Sequence, residues 1–217
     1  MLTAKDIYKS YSHLQVLKGI DIHINKGEVA SIVGASGAGK STLLHILGTL
    51  DKADKGSIHY DGRDISGLGK TQLARFRNEK IGFIFQFHNL LPEFTAVENV
   101  SIPGYIGKRP EKAVSERARQ LLGFLGLQDR LDHKPSQLSG GEQQRVAVAR
   151  SLINNPAIVF ADEPSGNLDS KSAEALHKLF FRLRDEFGQT FVIVTHNEEL
   201  AHMADRMLTM RDGKMEI

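Results

Sequence analysis

The chain has 217 residues, with 28 lysines and arginines against 26 aspartates and glutamates, and it contains no cysteine. This near balance of charge argues against nucleic acid as the main partner. The lack of cysteine excludes disulfides and cysteine–zinc sites. Residues 1–6 have no apolar stretch of the kind that a secretory signal needs, and no apolar run reaches the roughly 20 residues that span a bilayer. We therefore expect any role at a membrane to depend on docking to another protein.

The predicted elements alternate between strands and helices. Ile20, Ile22 and Ile24 alternate with polar residues as in a half-buried strand, and a turn is predicted at Lys26-Gly27. Similar patterns predict strands over 29–33, 57–60, 81–85, 157–161, 190–194 and 206–217, the last with a turn at Asp212-Gly213, and helices over 40–47, 111–125, 142–152 and 171–187. This alternation predicts an α/β fold with a parallel sheet covered on both faces.

A glycine-rich loop follows the strand over 29–33 and leads into the helix over 40–47. Its residues fit the pattern G-x-x-x-x-G-K-[ST] and are Gly34, Ala35, Ser36, Gly37, Ala38, Gly39, Lys40 and Ser41. Glycines let several backbone N–H groups point at one phosphate, and the helix dipole adds positive potential. We expect Lys40 to reach the β- and γ-phosphates, Ser41 to coordinate Mg²⁺ and Thr42 to continue the helix start. The alternative, a chance match in a turn, is disfavoured by the flanking strand and helix.

Two carboxylates follow the strand predicted over 157–161. Ligands gather at the carboxyl ends of parallel strands, so we expect Asp162 to lie near Ser41 and to hold Mg²⁺ through a water molecule. Glu163 is expected to face the γ-phosphate and to activate the attacking water as a general base. The structural alternative is a solvated acidic turn before Pro164. Together with the glycine-rich loop, these residues predict ATP hydrolysis that depends on Mg²⁺.

A third motif, here called the signature run, is far more specific than the glycine-rich loop. It consists of Leu138, Ser139, Gly140, Gly141 and Glu142, with Gln143-Gln144-Arg145 after it. A hydroxyl and bare backbone N–H groups at a helix start can form a second phosphate site, whereas capping of the helix is the simpler alternative. Through this run and the order of the other motifs, essentially the whole chain resembles the nucleotide-binding subunits of ATP-binding-cassette (ABC) transporters.

The resemblance implies a P-loop NTPase (RecA-like) core with an antiparallel β arm, formed by residues 1–86 and 155–217. Residues 87–154 would form an inserted helical subdomain that carries the signature run. The resemblance also implies that two copies of the chain pair head to tail. In that dimer the signature run of each copy would contact the γ-phosphate of the ATP bound to the other.

Roles for four further residues are implied by the resemblance: Gln86, His196, Asp169 and Tyr11. Gln86 would contact Mg²⁺ and sense the γ-phosphate, and His196 would contact the γ-phosphate and hold Glu163 in position. Asn167-Leu168-Asp169 matches the family's D-loop, and Asp169 would reach across the dimer. Tyr11 would stack on adenine, although Tyr8 is nearby and either ring could belong to the core. The simpler alternatives are a surface glutamine at position 86 and a structural histidine at position 196.

The segment from Gln86 to Val100 most closely resembles the lipoprotein-releasing subset of these transporters. Macrolide-export (MacB-type) and cell-division (FtsE-type) ATPases are near relatives. The resemblance implies a peripheral subunit on the cytoplasmic face of the bacterial inner membrane, with integral membrane permease subunits docking near Phe87–Phe94. Apolar side chains in this segment suit a groove for a partner helix, or they could be core residues of the subdomain.

Two other classes of protein are alternatives: a soluble ABC ATPase, of the chromosome or the translation type, and a small P-loop kinase. A soluble ABC ATPase of chromosome organisation would carry a long coiled coil, but only about 115 residues separate Lys40 from Asn155, without sustained heptads. A translation-type ABC ATPase would need room for two cassettes. A small P-loop kinase would lack the signature run.

Overall fold

The computed structural model describes residues 1–216, and Ile217 lies outside the described residues. The chain divides into two compact units, one of residues 1–74 together with those from Phe180 onward, the other of Arg75–Leu179. Its elements in chain order are β1 (Leu2–Tyr11), β2 (Leu14–Ile24), β3 (Val29–Val33), α1 (Lys40–Leu47), β4 (Lys55–Tyr60), β5 (Arg63–Asp64), α2 (Lys70–Lys80), β6 (Ile81–Phe85), α3 (Ala96–Ile106), α4 (Glu111–Phe124), α5 (Gly140–Leu152), β7 (Ile158–Asp162), α6 (Ser170–Phe187), β8 (Thr190–Val194), α7 (Glu198–Met203), β9 (Arg206–Arg211) and β10 (Lys214–Met215).

The first unit contains an antiparallel sheet in the order β2-β1-β4-β5. β1 pairs with β2 from Leu2↔Ile24 to Tyr11↔Leu14, and it pairs with β4 on its other side. Ile20, Ile22 and Ile24 are all buried, as their alternation predicts. The last residue of β1, Tyr11, pairs with Leu14 of β2 and is exposed.

Parallel strands form the other sheet of the first unit. β3 pairs in parallel with both β8 and β9, and β10 pairs antiparallel with β9. The first four residues of β3 and all of β8 are buried, because strands of a parallel sheet are covered on both faces. The glycine-rich loop therefore begins at the end of a strand that the core holds firmly.

The second unit pairs β6 with β7 in parallel, from Ile81↔Ile158 to Phe85↔Asp162. Its helical part is formed by α3, α4 and α5, whose buried side chains include Val100, Val114, Leu121, Leu122, Val146, Ala149 and Leu152. Gly82 of β6 lies directly against α5, since a Cβ added there would be 2.5 Å from the Ser151 carbonyl oxygen. Close contact between β6 and α5 thus depends on the missing side chain.

The sequence predicted the buried strands best. The strands over 29–33, 81–85 and 190–194 and the helix over 40–47 match the structure at both ends, and the α/β class with an antiparallel arm is confirmed. The helix predicted from Glu142 begins two residues earlier, at Gly140. The strand predicted up to Ile217 is β9 and β10, which ends at Met215; the last predicted residue lies outside the described part of the chain.

Five elements were not predicted: β1, β5, α2, α3 and α7. α2 buries none of its side chains, and α3 contains Pro103, so neither shows a clear apolar period. The predicted insertion of residues 87–154 falls within the second unit, and its boundaries with the core stay a prediction. None of the helices in residues 1–216 is both long and apolar enough to cross a membrane.

Replacing Gly82 by alanine should destabilise the protein by about 1–3 kcal/mol, because the new methyl group would overlap the Ser151 carbonyl. Gly123→Ala is the matched control, since Gly123 lies in α4 with nothing within 4 Å of an added Cβ. That change should stabilise the helix by about 0.5–1 kcal/mol. Urea unfolding of both variants measures the two effects, and equal signs would contradict the close contact between β6 and α5.

Candidate active site

The glycine-rich loop connects β3 to α1 in the first unit. Gly34, Gly37 and Gly39 all have positive φ angles, of 149°, 79° and 100°, a region that favours glycine. At Gly34 a Cβ would lie 2.0 Å from the Met210 carbonyl oxygen, so packing as well as conformation requires glycine there. No side chain caps the start of α1, which leaves its first N–H groups suited to an anion.

Lys40 lies folded over the loop. Its ammonium group donates hydrogen bonds to the carbonyl oxygens of Gly34, at 2.8 Å, and Ala35, at 3.0 Å. Ala35, Ser36, Gly37 and Ser41 are exposed. The loop therefore presents a cation and a helix N-terminus on an open surface, which is the chemistry that binds phosphate groups.

His196 follows β8 and belongs to the same unit as the loop. It lines a cavity together with Gly34, Glu198 and His202. The structure thus brings this predicted γ-phosphate ligand to the loop that is predicted to hold the phosphates.

Tyr11 ends β1 with 48% of its surface exposed. Its hydroxyl donates a hydrogen bond to Asp51 Oδ2 at 2.5 Å. The bond to Asp51 raises the pKa of Tyr11, with burial and the charge of Asp51 adding to the effect. The alternative ring, Tyr8, packs its hydroxyl against Gly19, so Tyr11 is the ring better placed to receive a ligand.

In the second unit, Gln86 and Glu163 come directly after paired strand ends. Phe85 is opposite Asp162 in the register of β6 and β7, so Gln86, Asp162 and Glu163 lie at one edge of these strands. Glu163 has a φ of 47°, an uncommon conformation for a residue other than glycine, and one that recurs at functional sites.

Gln86 is held by the D-loop, residues 167–169. Its amide nitrogen donates to Asn167 Oδ1 at 3.0 Å, and Asn167 Nδ2 donates back to the Gln86 carbonyl at 3.3 Å. Because the amide nitrogen is engaged in this way, the Gln86 side-chain oxygen is the atom suited to a cation. Oxygen donors from amide, carboxylate and hydroxyl groups form a set that Mg²⁺ prefers.

The start of α5 explains the signature run. Ser139 caps the helix: its hydroxyl accepts a hydrogen bond from the Glu142 N–H at 3.3 Å, and the Glu142 carboxylate accepts one from the Ser139 N–H at 2.8 Å. Arg130 donates to the other carboxylate oxygen at 3.0 Å. The bond from the Ser139 N–H, aided by Arg130, lowers the pKa of Glu142. Glu142 is therefore a capping residue, and Ser139 and the glycines form the exposed end of the helix.

The signature run and the D-loop meet at Ser172. Asp169 accepts hydrogen bonds from the Ser172 N–H, at 2.9 Å, and from its hydroxyl, at 2.7 Å, and these bonds lower the pKa of Asp169. A Cβ on Gly141 would be only 3.0 Å from the Ser172 hydroxyl. The second glycine of the run thus lies in close contact with Ser172 of the same chain.

Gln144 is a positioning residue that sequence reasoning missed. Its side chain is 1% exposed, and its nitrogen donates to the carbonyls of Phe85, at 3.3 Å, and Pro164, at 2.7 Å. These residues precede Gln86 and follow Glu163, so one amide joins both turns. Nothing in the sequence marks this role, because the partners lie 59 and 20 positions away.

The apolar segment Phe87–Phe94 is largely exposed. Phe87, Leu91 and Phe94 are 68%, 43% and 41% exposed, which excludes the interpretation of these three side chains as subdomain core. Arg150 of α5 holds the segment's backbone by donating to the carbonyls of His88, at 2.7 Å, and Asn89, at 2.6 Å. An ordered backbone with exposed apolar side chains is typical of a protein-binding surface.

Comparison with known proteins identifies the family. The profile of the ABC transporter family matches residues 17–166, more than half of the chain. The chain belongs to the ABC transporter family. The lipoprotein-releasing system ATP-binding protein LolD of Cytophaga hutchinsonii is 64% identical over 98% of this chain and 97% of its own length. LolD of Bacteroides fragilis is 60% identical over 99% of this chain and 100% of its own length.

Solved structures of ABC cassettes share the fold. The cassette MJ0796, solved as a dimer in a post-hydrolysis state with ADP and Pi, is 40% identical with a TM-score of 0.91, covering 100% of this chain and 97% of that one. CbiO1 of Clostridium perfringens, part of an ABC transporter complex, is 29% identical with a TM-score of 0.90, covering 100% and 86%. The family resemblance, the P-loop NTPase fold and the enzyme class, an ATPase, are thereby confirmed.

The capping role of Glu142 predicts how stability depends on pH. Because its pKa is lowered from 4.5 in the folded chain, the bonds that it accepts stabilise the fold above that value and are lost as the pH falls through the lowered pKa. Glu142→Gln keeps a capping group but removes the titration, so its unfolding free energy should fall less between pH 5 and pH 3. The exposed Glu116→Gln is the control and should retain the wild-type slope; identical slopes for all three proteins would contradict this role.

Proposed function

We propose that this ABC ATPase powers the release of lipoproteins from the bacterial inner membrane, as a peripheral subunit on the cytoplasmic face. The observation that carries the proposal is the identity of 60–64% to proteins named as lipoprotein-releasing ATPases, over nearly the whole length of both chains. Matches that cover 98–99% of this chain extend well beyond the nucleotide motifs, which many ATPases share.

We propose that ATP binds with its phosphates on the loop of residues 34–41 and its adenine on Tyr11. Lys40 would move from the loop carbonyls to the phosphates, and Thr42 would support the helix start. Among residues 1–216 no group of three His, Cys, Asp or Glu side chains is placed to hold a metal ion. The proposed Mg²⁺ would take part of its coordination from the phosphates of ATP. Ser41, Gln86 and Asp162, the last through a water, would hold it, and the ion would neutralise charge that develops on the phosphates.

Hydrolysis is assigned to Glu163 as the general base, with His196 contacting the γ-phosphate and orienting Glu163. The unusual backbone conformation of Glu163, and the clamping of the following turn by Gln144, support a carboxylate held in one position for catalysis. A base that is fixed before the reaction saves the cost of ordering it in the transition state.

A second copy of the chain is the proposed first partner, with each signature run completing the site of the other copy. Support comes from the exposed helix start at Ser139, and from the dimers that the cassette MJ0796 forms. The second partner would be a permease that docks on Phe87–Phe94, for which the exposed aromatic side chains are the support. Nucleic acid has no place in this proposal.

Two runner-up functions use the same ATPase: a MacB-type exporter and an FtsE-type cell-division ATPase. Co-purification from native membranes separates them, since the bound membrane subunit would differ. Recovery of a lipoprotein-releasing permease supports the proposal, and recovery of a macrolide exporter or a cell-division protein contradicts it.

Replacing Glu163 by glutamine should lower kcat by at least about 100-fold while leaving the Kd for ATP within a few-fold of wild type, because the base is lost and the phosphate ligands are kept. Turnover and binding of a fluorescent ATP analogue measure the two quantities. Glu116→Gln, a change of the same type on an exposed surface, should leave both unchanged. Turnover of Glu163→Gln near the wild-type rate would refute the general-base assignment.

The proposed role of the signature run is tested by comparing the same substitution at two helix-capping residues, Ser139 and Thr95. Thr95 caps α3 with the same capping box by which Ser139 caps α5, and aspartate is as good a cap as either. Ser139→Asp and Thr95→Asp should therefore both fold with wild-type stability. Only Ser139→Asp would place a negative charge against the partner's γ-phosphate.

In a Glu163→Gln background, light scattering should show dimers with ATP for Thr95→Asp and monomers for Ser139→Asp. Thermal melting of both variants checks that they are folded. ATP-dependent dimers of folded Ser139→Asp would contradict the proposed role of the signature run.

A further inference from the structure

A buried lysine lies beneath the ring of Tyr11. Lys9, two residues earlier in β1, is 8% exposed, and its ammonium lies 5.0 Å from the centre of the Tyr11 ring. It donates hydrogen bonds to Asp51 Oδ1 at 3.0 Å and to the Lys52 carbonyl at 2.7 Å. Burial of a lysine is costly unless its charge is paired, so this arrangement calls for a physical explanation.

Asp51 joins the lysine to the ring. One carboxylate oxygen accepts from Lys9, and the other accepts from the Tyr11 hydroxyl at 2.5 Å. Burial by itself would raise the pKa of Asp51, but the hydrogen bonds from Tyr11 and Lys9 outweigh it and hold this pKa below its ordinary value. The three side chains, here called the Tyr11 clamp, therefore form a charge-paired group that remains intact at neutral pH.

The clamp is anchored to the helix that follows the glycine-rich loop. Just beyond α1, the N–H groups of Leu50 and Asp51 donate to the carbonyl of His45, at 2.8 Å and 3.2 Å. The Asp51 carboxylate thus has a fixed place relative to α1. Through Asp51, the ring at the end of β1 is tied to the C-terminal end of that helix.

We infer that Lys9 and Asp51 are positioning residues that fix the Tyr11 ring at a set distance from the phosphate loop, and so favour adenine nucleotides over free polyphosphate. The inference rests on the proposed role of Tyr11 as the adenine-stacking ring. A half-exposed ring at a strand end would otherwise be ordered only when ligand binds, at a cost in affinity.

The test compares ATP with tripolyphosphate, which carries the phosphates without the base, both with Mg²⁺ and by calorimetry. Tyr11→Phe and Asp51→Asn should each weaken ATP binding by about three- to tenfold, the cost of ordering one side chain, and leave tripolyphosphate binding unchanged. Tyr11→Ala should weaken ATP binding further. In Tyr11→Ala, the additional change Asp51→Asn should have no effect, because the two act through the same ring.

The matched control is Asp21→Asn. Like Asp51, Asp21 accepts a hydrogen bond through its carboxylate from a residue of β1, in this case from the Asp6 N–H, but that bond does not involve Tyr11. It should leave the affinity for both ligands at the wild-type value. Thermal melting verifies folding, and Tyr11→Phe, which keeps the ring and loses one hydroxyl, serves if Asp51→Asn does not fold.

The outcomes separate the inference from the function on which it rests. If Tyr11→Ala binds ATP like wild type, the ring is not the base site and its proposed role fails. If Tyr11→Ala weakens ATP binding but Tyr11→Phe and Asp51→Asn do not, the ring is the base site and the clamp is refuted. If Asp51→Asn weakens the binding of ATP and of tripolyphosphate by the same factor, the inference about the Tyr11 clamp is also overturned, because Asp51 would then act on the phosphate site.

Discussion

Parallel pairing of short buried strands is the constraint on which the site depends. The core requires apolar side chains along β3, β7 and β8, so polar chemistry can begin only where each strand ends. In the second unit the pairing of Phe85 with Asp162 brings the residues after both strands to one edge. In the first, the loop after β3 and the histidine after β8 line one cavity.

Helix α5 contacts three surfaces for which different roles are proposed. Its start carries the signature run, its Gln144 holds the turns beside Gln86 and Glu163, and its Arg150 holds the backbone of the apolar segment at His88. One helix therefore contacts the proposed partner-ATP surface, the proposed catalytic turn and the proposed permease surface. Under the proposed function, α5 is the element that would couple hydrolysis to transport.

The two helix starts that are proposed to bind phosphate, those of α1 and α5, differ in how their first N–H groups are capped. α1 begins at Lys40, and its N-cap residue, Gly39, supplies no side-chain cap, so its N–H groups suit the phosphates that the chain itself is proposed to bind. α5 begins under a full capping box of Ser139 and Glu142. The Glu142 carboxylate is engaged in capping, and the exposed residues at this helix start are Ser139 and Gly140. Neither carries a negative charge that would repel a phosphate.

Sequence reasoning succeeded where chemistry is local and failed where it is not. The phosphate loop, the strand ends and the capped helix each depend on a few consecutive residues. Three buried strands, over 29–33, 81–85 and 190–194, were predicted to the residue, and β7 lies one residue later than its predicted range of 157–161. Lys9, Asp51 and Gln144 act on partners 40 or more positions away in most of their bonds, and no periodicity reports such contacts. α2 escaped prediction for a related reason, since a helix that buries no side chain leaves no apolar pattern.

The central claim is that each site is completed by the signature run of a second copy. Mixing two inactive variants tests it most directly: Lys40→Ala, which cannot hold phosphates, and Ser139→Asp, which cannot complete the partner's site. Random pairing gives heterodimers with one intact site, so ATPase activity should return to about a quarter of the wild-type value. A mixture no more active than its separate components would contradict a site shared between two copies.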